Sequence, residues 1–114
     1  MLLDIHRDEV TEDINFHTRK IVLTLAKNNP HYEANKKFVD QLLKNIRNSK
    51  EVEKNVEAEI LTYTKGKLCF DQDLSNNSVL IELGNNMSSD SDIQDCVNAI
   101  VSAVKNIQKE QLTN

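Results

Sequence analysis

A chain of 114 residues with 39% apolar and 28% charged residues has the size and make-up of one globular domain around a single core, which excludes a disordered polypeptide and a coiled coil. Its net charge of −4, with Lys and Arg scattered among acids, excludes a basic surface that tracks phosphates, so nucleic acid is not an expected partner. No apolar run approaches the roughly 20 residues of a membrane span, and nothing at the start reads as a secretory signal.

In chain order, Leu2 to His6 predicts a short buried strand that turns polar at Arg7 and Asp8. An opening on Leu2, Leu3 and Ile5 resembles mid-strand sequence, and upstream sequence is expected to precede it, because termini are usually polar. Residues 8–19 are polar and fit either a helical turn or a loop. Lys20 to Ala26 holds Ile21, Val22, Leu23, Thr24 and Leu25, a β-prone run suited to a strand covered on both faces. Asn29-Pro30 predicts a capped helix start. Ala34, Phe38, Val39, Leu42, Leu43 and Ile46 then fall on one stripe, giving a helix over about 30–47.

Residues 47–57 read as a solvated connection or short exposed helix, and Ala58 to Thr64 as another strand. Lys65-Gly66-Lys67 is a turn signal. Ser78 to Leu83 predicts a buried strand with one carboxylate, Glu82, near its end, before Gly84 and Asn85, two residue types suited to a left-handed turn. Ser91-x-x-Gln94 fits a capping box. Ile93, Cys96, Val97, Ile100, Val101, Val104 and Ile107 line one face of a last helix over about 91–109, leaving 110–114 as a polar tail. The order strand, strand, helix, strand, strand, helix predicts an α/β domain, with a mostly parallel or mixed sheet covered by helices on one face or both.

Two residues stand out chemically. His6 ends one strand and Glu82 nearly ends another, and in open α/β sheets ligands bind beyond such ends. Alternation sets Leu80 and Glu82 on one side and Val79, Ile81 and Leu83 on the other. A carboxylate among aliphatic residues is costly to bury unless paired, protonated or metal-associated, so the two residues fit a metal ligand with its general base. A hydrogen-bonded boundary histidine is the plainer alternative. Asp4 and Asp8 fit simple pairing with Arg7. His17 and His31 are expected to face solvent, and Asp71, Gln72 and Asp73 form either a solvated loop or the wall of a cleft. Cys69 and Cys96 make no C-x-x-C pair; Cys96 reads as a small buried hydrophobe.

The segments D-I-H-R-D at 4–8, N-P-H-Y at 29–32 and D-Q-D-L-S-N-N-S-V-L-I-E-L-G at 71–84 together resemble the C-terminal half of the stage II sporulation protein P family, over residues 2 to about 107. The resemblance implies a zinc-dependent N-acetylmuramoyl-L-alanine amidase that hydrolyses peptidoglycan during endospore engulfment. It also implies a place outside the cytoplasmic membrane, at the membrane or septum, with other engulfment proteins as partners. Within it His6 corresponds to a zinc-binding histidine and Glu82 to the catalytic glutamate, while Arg7, Asp8, Gln72 and Asp73 are candidate cleft residues without assigned roles. The family's domain opens with a further strand carrying a histidine and an acidic residue that complete the metal shell, so the domain over 1–109 is expected to be an incomplete one. On that reading the isolated chain is inactive, binds zinc weakly, and is marginally stable or self-associating because an edge is exposed. Departures are Asp71, Asn76 and Asn85, where asparagine, proline and glycine are common. The alternative is an inactive or degenerate module that binds cell-wall glycopeptide or a partner protein.

Overall fold

A computed structural model describes residues 1–7, 18–48, 56–64 and 72–113. The readings made for most of 8–19 and 47–57, for the Lys65–Lys67 turn, and for Asp8, His17, Cys69 and Asp71 lie outside the described residues. The elements are β1 (Leu2–Arg7), β2 (Lys20–Ala26), α1 (Tyr32–Asn48), β3 (Glu57–Tyr63), a single 3₁₀ turn at Gln72–Leu74, β4 (Ser78–Leu83) and α2 (Asp90–Thr113). The strands form one sheet in the order β1-β4-β2-β3, with β1 parallel to β4, β2 parallel to β3, and β4 antiparallel to β2. The expected α/β class therefore holds, and the sheet is mixed.

Both helices pack on the same sheet face. Ile21, Leu23 and Leu25 of β2 and Val79, Ile81 and Leu83 of β4 share one cluster with Phe38, Leu42 and Ile46 of α1 and with Ala99, Ala103 and Ile107 of α2. Two apolar stripes that meet each other as well as the sheet need only one layer. The molecule is accordingly flat, 38 × 36 × 17 Å. β2 and β4 are buried along both faces, as their unbroken aliphatic runs require.

Local chemistry sets the boundaries. Asn29 accepts the His31 backbone N–H on its Oδ1 (2.8 Å), so the asparagine before Pro30 caps α1 as its sequence predicts. At α2 the cap lies two residues earlier than Ser91. Ser89 N–H donates to Asp92 Oδ2 (2.9 Å) and Asp92 N–H to Ser89 Oγ (3.1 Å), a reciprocal box in which aspartate does the work of glutamate. The Ser89 backbone N–H holds the Asp92 carboxyl below the usual carboxylate range. Ser91-x-x-Gln94 starts two residues inside α2, so the Gln94 N–H already has an intrahelical acceptor four residues back and needs no cap. At the other end α2 runs on to Thr113, through the segment expected as a tail. Glu110 accepts a hydrogen bond from Gln41 of α1 (2.8 Å), fastening that last turn.

β1 departs from expectation. The Leu2, Leu3 and Ile5 pattern predicts a buried strand, yet β1 is the outermost strand and is mostly exposed, with Ile5 52% accessible. α2 reaches over β4 and leaves β1 only partly covered, so the same residue types that are buried in β4 are half in solvent here.

Candidate functional site

His6 and Glu82 face each other in register across the parallel β1–β4 pair. Residues opposite one another in register point to the same side of the sheet, about 4.8 Å apart between strands. Because Ile81 and Leu83 enter the helix-covered core, Glu82 and His6 lie on the opposite face. The two strands are parallel, so both residues sit at the carboxyl ends of their strands, on one edge of the sheet. The registers extend the row: Glu82 also opposes Val22 of β2, and Val22 opposes Glu59 of β3. One line across this face thus reads His6, Glu82, Val22, Glu59.

The row is charged at its ends and apolar in the middle. Val22 and, two residues back along β4, Leu80 are buried, so Glu82 has aliphatic neighbours on its own face as well as along its strand. Glu59 forms an ion pair with Lys20 Nζ (2.8 Å), which occupies it away from Glu82. His6 is exposed, and its Nε2 lies 2.7 Å from Oδ1 of Asp4. Asp4 therefore partners the histidine and not Arg7, as alternation along one strand dictates for residues two apart. That period-2 signal was present in the sequence and points to Asp4 as the site residue that motif reasoning passed over.

Arg7, one of the candidate cleft residues, turns to the other side of β1 and ties down the turn that follows Glu82. Its Nε donates to Asn85 O (2.8 Å) and its Nη2 to Ser88 O (2.6 Å). The same turn is fixed from within. Asn85 Oδ1 accepts from Met87 N–H (2.8 Å), Ser88 Oγ accepts from Asn85 N–H (2.9 Å), and the Ser88 hydroxyl donates to Thr18 O (2.6 Å). Gly84 stands at its start with φ +57°. A Cβ there would lie 2.5 Å from Ser88 Oγ and 2.7 Å from Ile93 Cδ1, so glycine is required both for the left-handed backbone and for the close approach. The expected left-handed turn is found at this residue.

Gln72 is fully buried. Its Oε1 accepts from Ala26 N–H (2.9 Å) and its Nε2 donates to Thr24 O (2.8 Å). The side-chain amide thereby continues the ladder of β2 just where its pairing with β4 stops at Thr24 and Leu80. Its polar atoms are spent on the sheet, so it shapes the surroundings through the 3₁₀ turn. Asp73, the next residue of that turn, is exposed. His31 is half-buried with its Nδ1 at the Asn76 side chain, a contact that replaces the solvent-facing position expected for it. Cys96 is fully buried, as read from its place on the helix stripe, and desolvation pushes its thiol up to about 11. It is an inert core group.

Among the described residues, no three His, Cys, Asp or Glu side chains are grouped so as to hold a metal ion, and no helix is long and apolar enough to cross a membrane. Comparison with known proteins finds no match among curated proteins and none among solved structures. The family model described as Stage II sporulation protein P (SpoIIP) matches residues 1–105, a span that contains every element from β1 to β4 and most of α2. The chain belongs to the stage II sporulation protein P family, which links it to sporulation.

Proposed function

We propose that this chain supplies the histidine and the carboxylate of a zinc-dependent N-acetylmuramoyl-L-alanine amidase that acts on peptidoglycan during endospore engulfment. One observation carries the reading: His6 and Glu82 are register neighbours at the carboxyl ends of two parallel strands, on the face turned away from the helices. Family membership supports the biological setting. The substrate on this reading is a muramyl peptide, cleaved at the amide between the lactyl group and L-alanine. The setting is extracytoplasmic, at the membrane or septum, with other engulfment proteins as partners.

The donors fit zinc in kind but not in number. His6 offers one imidazole, with Asp4 bonded to its ring and Glu82 kept as the base, whereas a catalytic zinc takes three protein ligands and keeps one position open. His6 would hold the metal together with groups beyond these, and Asp4 would orient its ring, as carboxylates do behind metal-bound histidines. Bound zinc would lower the pKa of a coordinated water towards ~7 and polarise the amide carbonyl. Glu82 would take the proton of the attacking water and hand it to the departing amine nitrogen.

The test is muropeptide hydrolysis by the intact protein, with zinc content measured alongside. Glu82→Gln is expected to lower turnover by about 10²–10⁴-fold while zinc stays bound, and His6→Ala to lose both zinc and turnover. Full activity in either variant would refute the assigned roles. The absence of a three-donor group among the described residues favours a second reading, a non-catalytic module that holds cell-wall glycopeptide or a partner protein. Muropeptide binding that needs no zinc and yields no product would decide for it.

A further inference from the structure

Lys20 opens β2 on the face that carries His6 and Glu82. Its neighbour Ile21 enters the helix-covered core, so alternation turns Lys20 to the other side with Val22. β4 runs antiparallel to β2 with Val22 opposite Glu82, and the pairing continues to Gly84, whose N–H donates to Lys20 O (2.7 Å). Lys20 is thus the diagonal neighbour of Glu82, about 7–8 Å away, at the edge where β1 and β4 end. Its Nζ is turned the other way, onto Oε1 of Glu59 in β3 (2.8 Å). Both side chains are open to solvent, 35% and 54% exposed, and an ion pair that exposed contributes little to stability. Its partner can be exchanged at small cost.

The charges of the face indicate the exchange partner. Among the described strand residues on this side, Asp4, Glu57, Glu59 and Glu82 are acids and His6 is bonded to Asp4. Lys20 is the one with a permanent positive charge. An anionic ligand meets like charge elsewhere on the face and finds its complement at Lys20.

We propose that Lys20 leaves Glu59 to bind a free carboxylate on the second residue of the departing peptide, and so selects an acidic peptide over a neutral one. The inference rests on the amidase reading and adds a specificity-determining residue to it. The spans agree. Glu82 serves the departing nitrogen of the first residue, and each residue of an extended chain covers ~3.3–3.6 Å, so a carboxylate on the second stands about 7 Å from that nitrogen. Lys20 lies at that distance from Glu82 on the diagonal. Its flexible four-carbon stem and three rotatable donors let the ammonium move from one carboxylate to another without the planar match an arginine needs. Glu59 holds the ammonium off Glu82 until the ligand's carboxylate takes it over.

The experiment is hydrolysis, by the intact protein, of two muropeptides that differ only in the second stem residue, a free acid in one and its carboxamide in the other. Wild type is expected to favour the acid in kcat/KM by about fivefold, the factor one exposed ion pair supplies. The preference should appear in KM, since the contact is the same in ground and transition states. Lys20→Gln is expected to lose the preference through a higher KM for the acid, Lys20→Arg to keep it, and Glu59→Gln, which releases the lysine, to widen it. Because the readout is a ratio within one protein, partial loss of fold cancels. No preference in wild type, or an unchanged one in Lys20→Gln, would overturn the proposal. Should wild type cleave neither muropeptide, the amidase reading falls, and calorimetric binding of the same two decides for Lys20 alone. A preference for the acid that Lys20→Gln abolishes sustains the contact; equal or absent binding overturns it.

Discussion

β1 and β4 are each six residues long, run parallel in register, and carry similar aliphatic content, yet one is exposed and the other buried. β4 has a strand on both sides and α2 across one face; β1 has a neighbour on one side and the rim of a groove on its helix face. The difference teaches that lateral position in the sheet, more than residue type, decides what each residue is worth. On the proposed amidase reading, β4 would supply an apolar setting for Glu82 and β1 an accessible histidine.

The comparison breaks most sharply in stability. Ile81 and Ile5 are partners in register, one fully buried and the other half exposed. Ile81→Ala is expected to cost about 2–5 kcal/mol, and Ile5→Ala under about 1 kcal/mol, in urea denaturation. Comparable losses would mean that β1 is packed as β4 is, and the contrast would fail.

A second break concerns the turn that β4 feeds and Arg7 of β1 holds. Gly84→Ala forces a Cβ against Ser88 Oγ and Ile93 Cδ1 at φ +57°, and is expected to cost about 1–3 kcal/mol. If the turn positions Glu82, the loss of hydrolysis in the intact protein should exceed what that loss of stability explains. Activity that merely tracks the folded fraction would separate the turn from the site.

The smallest effect is expected at the helix that covers β4. Ser89→Ala removes half of the capping box and should cost about 1 kcal/mol. Asp92 titrates below its ordinary value in the folded chain, chiefly through the Ser89 backbone N–H. A depressed folded pKa contributes stability above the unfolded value of 3.8 that is lost as pH falls through the folded one. Asp92→Asn removes the titrating carboxyl, so the gap between wild type and Asp92→Asn is expected to narrow in acid unfolding below that value. A gap that widens there would assign the cap to other groups.

Part of the candidate site's geometry was legible in the sequence, for reasons visible in single residues. Glu82 interrupts an aliphatic strand, and strand alternation alone puts it opposite Ile81 and Leu83, where it is found. Arg7 was not legible, because its partners are carbonyls of Asn85 and Ser88, more than 75 residues away in sequence. Gln72 reads equally well as a loop residue or a cleft residue; its fully buried amide answers two backbone groups of β2 that no local pattern connects to it.

By itself the sequence determined the elements of this protein, since the periods of apolar residues, the Asn29-Pro30 cap and the Gly84 turn are local and act through neighbouring atoms. Only the tertiary structure decided that both helices share one face, that the sheet is mixed, that β1 lies at its edge, and that His6 stands beside Glu82. These are choices about which distant segments lie side by side. They follow from burying two apolar stripes against one sheet, a free energy that belongs to the assembled layers and to no segment alone.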